Sequence, residues 1–225
     1  MKIIELIGLP GAGKSSTANK LVESLREKGH YVPDLPSIHK MLLNHNSVYK
    51  RLVGIFKRPL LVIMSSFCFL GASNSIFADL RKVLYTLKMY QYYTDLSKLK
   101  YDFVVNDQGY YLSLLEYFCR YYVEDSKKIE SIFRNFYSKF NIEIIYFYGD
   151  LNECVNRVMN RDKIDIDSKR INLGQTINNY HLLNQYLSNS ITIMNNISNV
   201  KYIDLKDSID YKCIEILECL NVCGE

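Results

Sequence analysis

A chain of 225 residues, 48% hydrophobic and 23% charged, can bury one α/β core more readily than two, and its make-up excludes a disordered polymer. Its formal net charge of +4 suits anionic small molecules but lacks the concentrated basic stripe of a nucleic-acid binder, so nucleic acid is not an expected partner. The cysteines (Cys68, Cys119, Cys154, Cys213, Cys219, Cys223) have no CxxC spacing and the N-terminal Met-Lys-Ile-Ile-Glu has no signal-peptide layout, which predicts a reduced, cytoplasmic setting.

Lys2 to Ile7 is an apolar run broken only by Glu5, the pattern of a buried parallel strand. It runs into Gly8-Leu9-Pro10-Gly11-Ala12-Gly13-Lys14-Ser15, which satisfies G-x-x-x-x-G-K-[ST] at every specified position. Ala18, Leu21, Val22 and Leu25 then recur at helical spacing up to Gly29, a natural stop. Strand, glycine loop and helix together are the context the motif requires. The glycines let successive N–H groups point inward, and the helix adds its positive end, making a cradle for phosphate oxygens. Lys14 is expected to reach the β- and γ-phosphates of ATP. Ser15 is expected to hold Mg2+, and Ser16 to touch the phosphates from the first turn.

Tyr31 to Pro33 is read as a short second strand, followed by Asp34 in Val-Pro-Asp-Leu-Pro. There a carboxylate could serve as general base to an acceptor hydroxyl, or simply shape a turn. Residues 35–100 are read as a helical insertion that holds the acceptor. Within it Pro59 to Ala78 carries no charge, but Ser65, Ser66, Ser73, Asn74 and Ser75 dilute it. A buried helix is expected there rather than a membrane span, with an apolar interaction surface as the other reading.

Tyr101 to Asn106 is the third strand, rich in Val, Phe and Tyr. Asp107 follows it at the carboxyl edge of the sheet, where doubly wound folds bind ligands; it is read as a Mg2+-ordering carboxylate or as a helix cap. Tyr111, Leu114, Leu115, Phe118 and Tyr122, then Ile129, Ile132, Phe133, Phe136, Tyr137 and Phe140, mark two helices before a fourth strand at Ile142 to Tyr148. After it, Asp150-Leu-Asn-Glu153 starts a helix on which Arg157 and Arg161 share a face. With Lys163, Lys169 and Arg170 they form either a lid over the phosphates, within 150–185, or a solvated salt-bridged surface. Val200 to Ile203 is the fifth strand.

Gly8 to Ser16, Asp107-Gln108-Gly109 and Arg157-x-x-x-Arg161, in that order, resemble the phosphate loop, acidic motif and lid arginines of P-loop kinases on the thymidylate-kinase and nucleotide-kinase side. The resemblance implies a three-layer α/β/α fold with five parallel strands in one domain over 1–225. It implies a kinase that moves the γ-phosphoryl of ATP to a small-molecule acceptor, with Lys14, Asp34, Asp107, Arg157 and Arg161 catalytic. It also places the adenine near Leu205 to Ser208. An NTP-dependent switch or scaffold that engages a partner through 59–78 is the other class of function the same loop allows.

Overall fold

The computed structural model describes residues 1–44, 69–71, 75–107, 114, 117, 126–161, 173–195, 197 and 200–222. In chain order these are β1 (Lys2–Gly8), α1 (Lys14–Glu27), α2 (Leu35–Asn44), α3 (Ile76–Leu96), β2 (Phe103–Asn106), α4 (Ser126–Tyr137), β3 (Ile142–Tyr148), α5 (Leu151–Arg161), α6 (Leu173–Asn195), β4 (Val200–Asp204) and α7 (Ile209–Cys219). The sheet has four strands in the order β2-β1-β3-β4, all parallel.

β1 is central because its apolar residues can be covered on both sides; Ile3, Ile4, Leu6 and Ile7 are all buried. Side-chain parity sorts the helices into layers. Glu5 of β1 receives the hydroxyls of Tyr93 on α3 and Tyr137 on α4, so those helices cover the face to which Glu5 points. Phe147 stands in register with Gly8 and therefore points the other way. The ammonium of Lys212 on α7 lies over the Phe147 ring, 5.9 Å from its centroid, and α7 packs on α1. Helices thus lie on both faces of the sheet. On α1 the buried stripe is Thr17, Ala18, Leu21, Val22 and Leu25, and each large apolar side chain there contributes about 1.5–3 kcal/mol relative to exposure.

Glu5 sits in a polar joint within the core. Tyr93 donates to Glu5 Oε1, Tyr137 donates to Glu5 Oε2 at 2.6 Å, and Asn106 Nδ2 donates to the Tyr93 oxygen at 3.1 Å. Burial first, and then the Glu5 charge, hold the Tyr93 phenol well above its ordinary pKa, so it stays a donor. The joint links β1, β2, α3 and α4.

One expectation changes. The expected second strand at Tyr31 to Pro33 forms no ladder: the Tyr31 carbonyl accepts from Asp102 N at 3.0 Å, but the Tyr31 N–H goes to the Asp102 carboxylate at 2.8 Å and Pro33 has no N–H to give. The described sheet therefore has four strands, not five. The apolar stretch 59–78 lies mostly outside the described residues. At its end Phe69 is buried while Ile76 and Phe77 are exposed. Among the described residues no helix is long and apolar enough to cross a membrane. The helix read at 111–122 also lies outside them, except for the buried Leu114 and Tyr117.

Candidate active site

The loop from β1 to α1 is shaped by its glycines. Gly11 and Gly13 have φ of 85° and 82°, a region that side chains with a Cβ disfavour. A Cβ on Gly11 would also stand 2.4 Å from the Cys154 carbonyl oxygen of α5. The Ala12 N–H closes the turn onto the Leu9 carbonyl at 3.1 Å. Gly13 is the N-cap of α1 and supplies no side chain to its first N–H groups. Those donors are therefore left for a ligand at the positive end of the helix.

Lys14 Nζ donates to the carbonyls of Gly8 and Leu9, each at 2.9 Å. Burial pushes its pKa down to about 8, with the Asp107 charge pulling the other way. Ser15 donates its hydroxyl to Asp107 Oδ2 at 2.6 Å. The end of β2 thereby meets the first turn of α1 across a separation of 92 residues. Asp107 is 3% exposed, and its second oxygen, Oδ1, lies 3.0 Å from His39 Nε2 on α2. Lys14, Ser15 and Asp107 are thus brought together, while Ser16 is exposed beside them.

Sequence reasoning does not single out His39. Its partner stands 68 residues away, and no local pattern announces it. Asp34 is placed differently from Asp107. Its carbonyl accepts the first helical bond, from Ile38 N at 3.2 Å. Its carboxylate is held below the usual range chiefly by a hydrogen bond from the Ser37 hydroxyl. It caps α2, the helix that carries His39.

Arg157 pairs with Glu153 one turn earlier on α5. Its guanidinium also points to the Leu205 carbonyl at 3.4 Å, which accepts from Lys212 Nζ at 2.7 Å. Burial lowers the Lys212 pKa, and the neighbouring Arg157 charge lowers it further. Arg157 therefore lies at the end of β4, beside the residues from Leu205 that the resemblance assigns to adenine, and not on Lys14. Arg161 closes α5 with its side chain outside the described residues, as is 162–172 of the expected lid.

No family model matches the chain, and no curated protein matches it. Among solved structures it is similar to deoxyadenosine kinase from M. mycoides with bound dATP, at a TM-score of 0.54 and 12% identity over 98% of this chain and 100% of that one. The same enzyme with dCMP and a flexible dCDP aligns at 0.53 and 13% identity, over 98% of this chain and 99% of that one. The chain shares the fold of that enzyme. The likeness is one of architecture, spanning both chains nearly end to end.

Proposed function

We propose that this chain is a Mg2+-dependent kinase that transfers the γ-phosphoryl group of ATP to a small-molecule acceptor. The observation that carries the reading is the hydrogen bond from Ser15 to Asp107 beside the Lys14 loop. It joins a hydroxyl and a buried carboxylate at the carboxyl edge of a parallel sheet, at the start of a helix whose N–H groups have no side-chain cap. A hydroxyl and a carboxylate are the hard oxygen donors that suit Mg2+. Bound there with nucleotide, the ion would neutralise charge on the β- and γ-phosphates.

The chain's own part is positioning and charge. The N–H groups of Gly11 to Ser16 cradle the phosphates, and Lys14 exchanges the carbonyls of Gly8 and Leu9 for phosphate oxygens. Ser15 and Asp107 would hold the cation. Arg157 and Arg161 of the 150–185 lid bring guanidiniums to the nucleotide on closure, where charge spreads over the transferring group. Residues 35–100 hold the acceptor. Its proton passes to Asp107 or to Asp34, whose bond from Ser37 makes it the weaker base.

An acceptor panel tests this. The similarity to deoxyadenosine kinase puts nucleosides first, followed by nucleotides, sugars and alcohols, with ADP release as readout. One acceptor class should raise ADP release well above the acceptor-free rate, and a phosphorylated product should appear in step. Slow hydrolysis indifferent to every acceptor would replace the kinase by a nucleotide-dependent switch.

A further inference from the structure

We infer that His39 is a protein ligand of the cation in this site and that its imidazole turns the site toward Mn2+ relative to Mg2+. The inference rests on the phosphotransferase reading and deepens it. Its geometric basis is the 3.0 Å separation of His39 Nε2 from Asp107 Oδ1. Two adjacent ligands of an octahedral ion, each about 2.1 Å from the metal, stand about 3.0 Å apart. In the structure the two atoms share a hydrogen bond; the same spacing matches an edge of that octahedron, so an ion could take the place of the shared proton.

The surroundings support the assignment. Asp107 is buried, and its other oxygen is fixed by the Ser15 hydroxyl. The carboxylate is therefore held from α1 on one side and faces α2 on the other. His39 keeps 36% of its side chain exposed, so its ring stands between solvent and the buried carboxylate. The neighbouring donors differ in kind: Ser15 and Asp107 offer oxygen, and His39 alone offers nitrogen. Mg2+ favours oxygen donors and retained water, whereas imidazole is a ligand for first-row transition ions. Mn2+ accepts both kinds of donor and replaces Mg2+ on nucleotide phosphates. Binding through Nε2 places the ring hydrogen on Nδ1.

Two other roles would leave the same contact in the structure and are separable by sign. If His39 only offsets the charge of Asp107, its removal tightens every divalent cation. If it only braces the Asp107 side chain, its removal weakens Mn2+ and Mg2+ alike. A ligand role alone weakens Mn2+ selectively.

The experiment titrates Mn2+ into wild type and His39→Gln in the presence of ADP, following free Mn2+ by electron paramagnetic resonance and Mg2+ by competition. Expected is a wild-type preference for Mn2+ beyond that of ADP alone. His39→Gln should lose on the order of tenfold in Mn2+ affinity and little in Mg2+ affinity, with ADP binding in chelator unchanged. Equal losses, equal gains or no change would each overturn the inference. Pulsed resonance on wild type labelled with 15N-histidine covers a variant that fails to fold: a coupling from a directly bound imidazole is expected, and its absence overturns the inference. A wild type that binds nucleotide without Mn2+ preference overturns this inference and leaves the kinase standing. One that binds no nucleotide under any cation overturns both.

Discussion

At the scale of the residue, the pKa of Lys14 near 8 has a direct consequence for ligand binding. The cause is burial, which disfavours the ammonium until an anion replaces the carbonyls of Gly8 and Leu9. A triphosphate favours the charged form, so above pH 8 binding must draw a proton onto Lys14. Nucleotide affinity is expected to fall as pH rises through 8, with proton uptake growing over the same range. Calorimetry in buffers of different ionisation enthalpy reads that uptake, and Lys14→Ala should abolish it together with most of the affinity. Persistence of both in the variant would remove Lys14 from the site. The lysine was legible in the sequence because its motif is local, eight residues whose glycines have no other purpose at that density. His39 was not, because nothing near it in the chain marks it and only the fold delivers it to Asp107. Asp34 was read from its place after an expected strand. It was read as a general base or a turn former, and in the structure it stands at the start of α2, where its carbonyl accepts from Ile38 N.

At the scale of the element, α5 carries the proposal of a lid. Gly11 packs so closely on the Cys154 carbonyl that this helix and the phosphate loop fit as one surface. Arg157 rests on Glu153 and near the Leu205 carbonyl, contacts it can exchange for a nucleotide. Arg157→Ala and Arg161→Ala are expected to lower kcat more than they raise the KM for ATP, with effects that do not add in the double variant. Steady-state kinetics with the acceptor found by the panel measures this. Wild-type kcat in the double variant would reduce the pair to the solvated salt-bridged surface that the sequence also allowed. Strands with nearly continuous apolar runs, β1 and β3, were readable because burial on both faces leaves that mark. Tyr31 to Pro33 misled because propensity does not report where an N–H will go. Neither α6 nor α7 was picked out. The visible first half of α6 is crowded with Asn and Gln, and α7 shows its inward face only once α1 is beside it.

At the scale of the whole molecule, the joint at Glu5 ties the sheet to the layer formed by α3 and α4. Its partners stand 88 and 132 residues away in the chain, so the sequence shows only a charge interrupting a strand. Glu5→Gln replaces one acceptor oxygen by an amide that cannot receive a phenol hydroxyl, leaving a buried donor opposed. A loss of about 1–3 kcal/mol is expected, read as a lower denaturant midpoint at unchanged slope. An unchanged midpoint would show that the joint contributes nothing to holding the layers. The strand order carries a further consequence, for the chain as it is made. β1 pairs with β2 and β3, and its first partner residue is Phe103. About a hundred residues must leave the ribosome before that pairing can begin, roughly 5–20 s at the usual rate of synthesis. Throughout that interval β1 is an apolar strand with both edges bare, the kind of segment that recruits other nascent chains. Glu5 is the one charge in its interior, and until Tyr93 and Tyr137 arrive to enclose it, its repulsion keeps neighbouring copies of the strand apart.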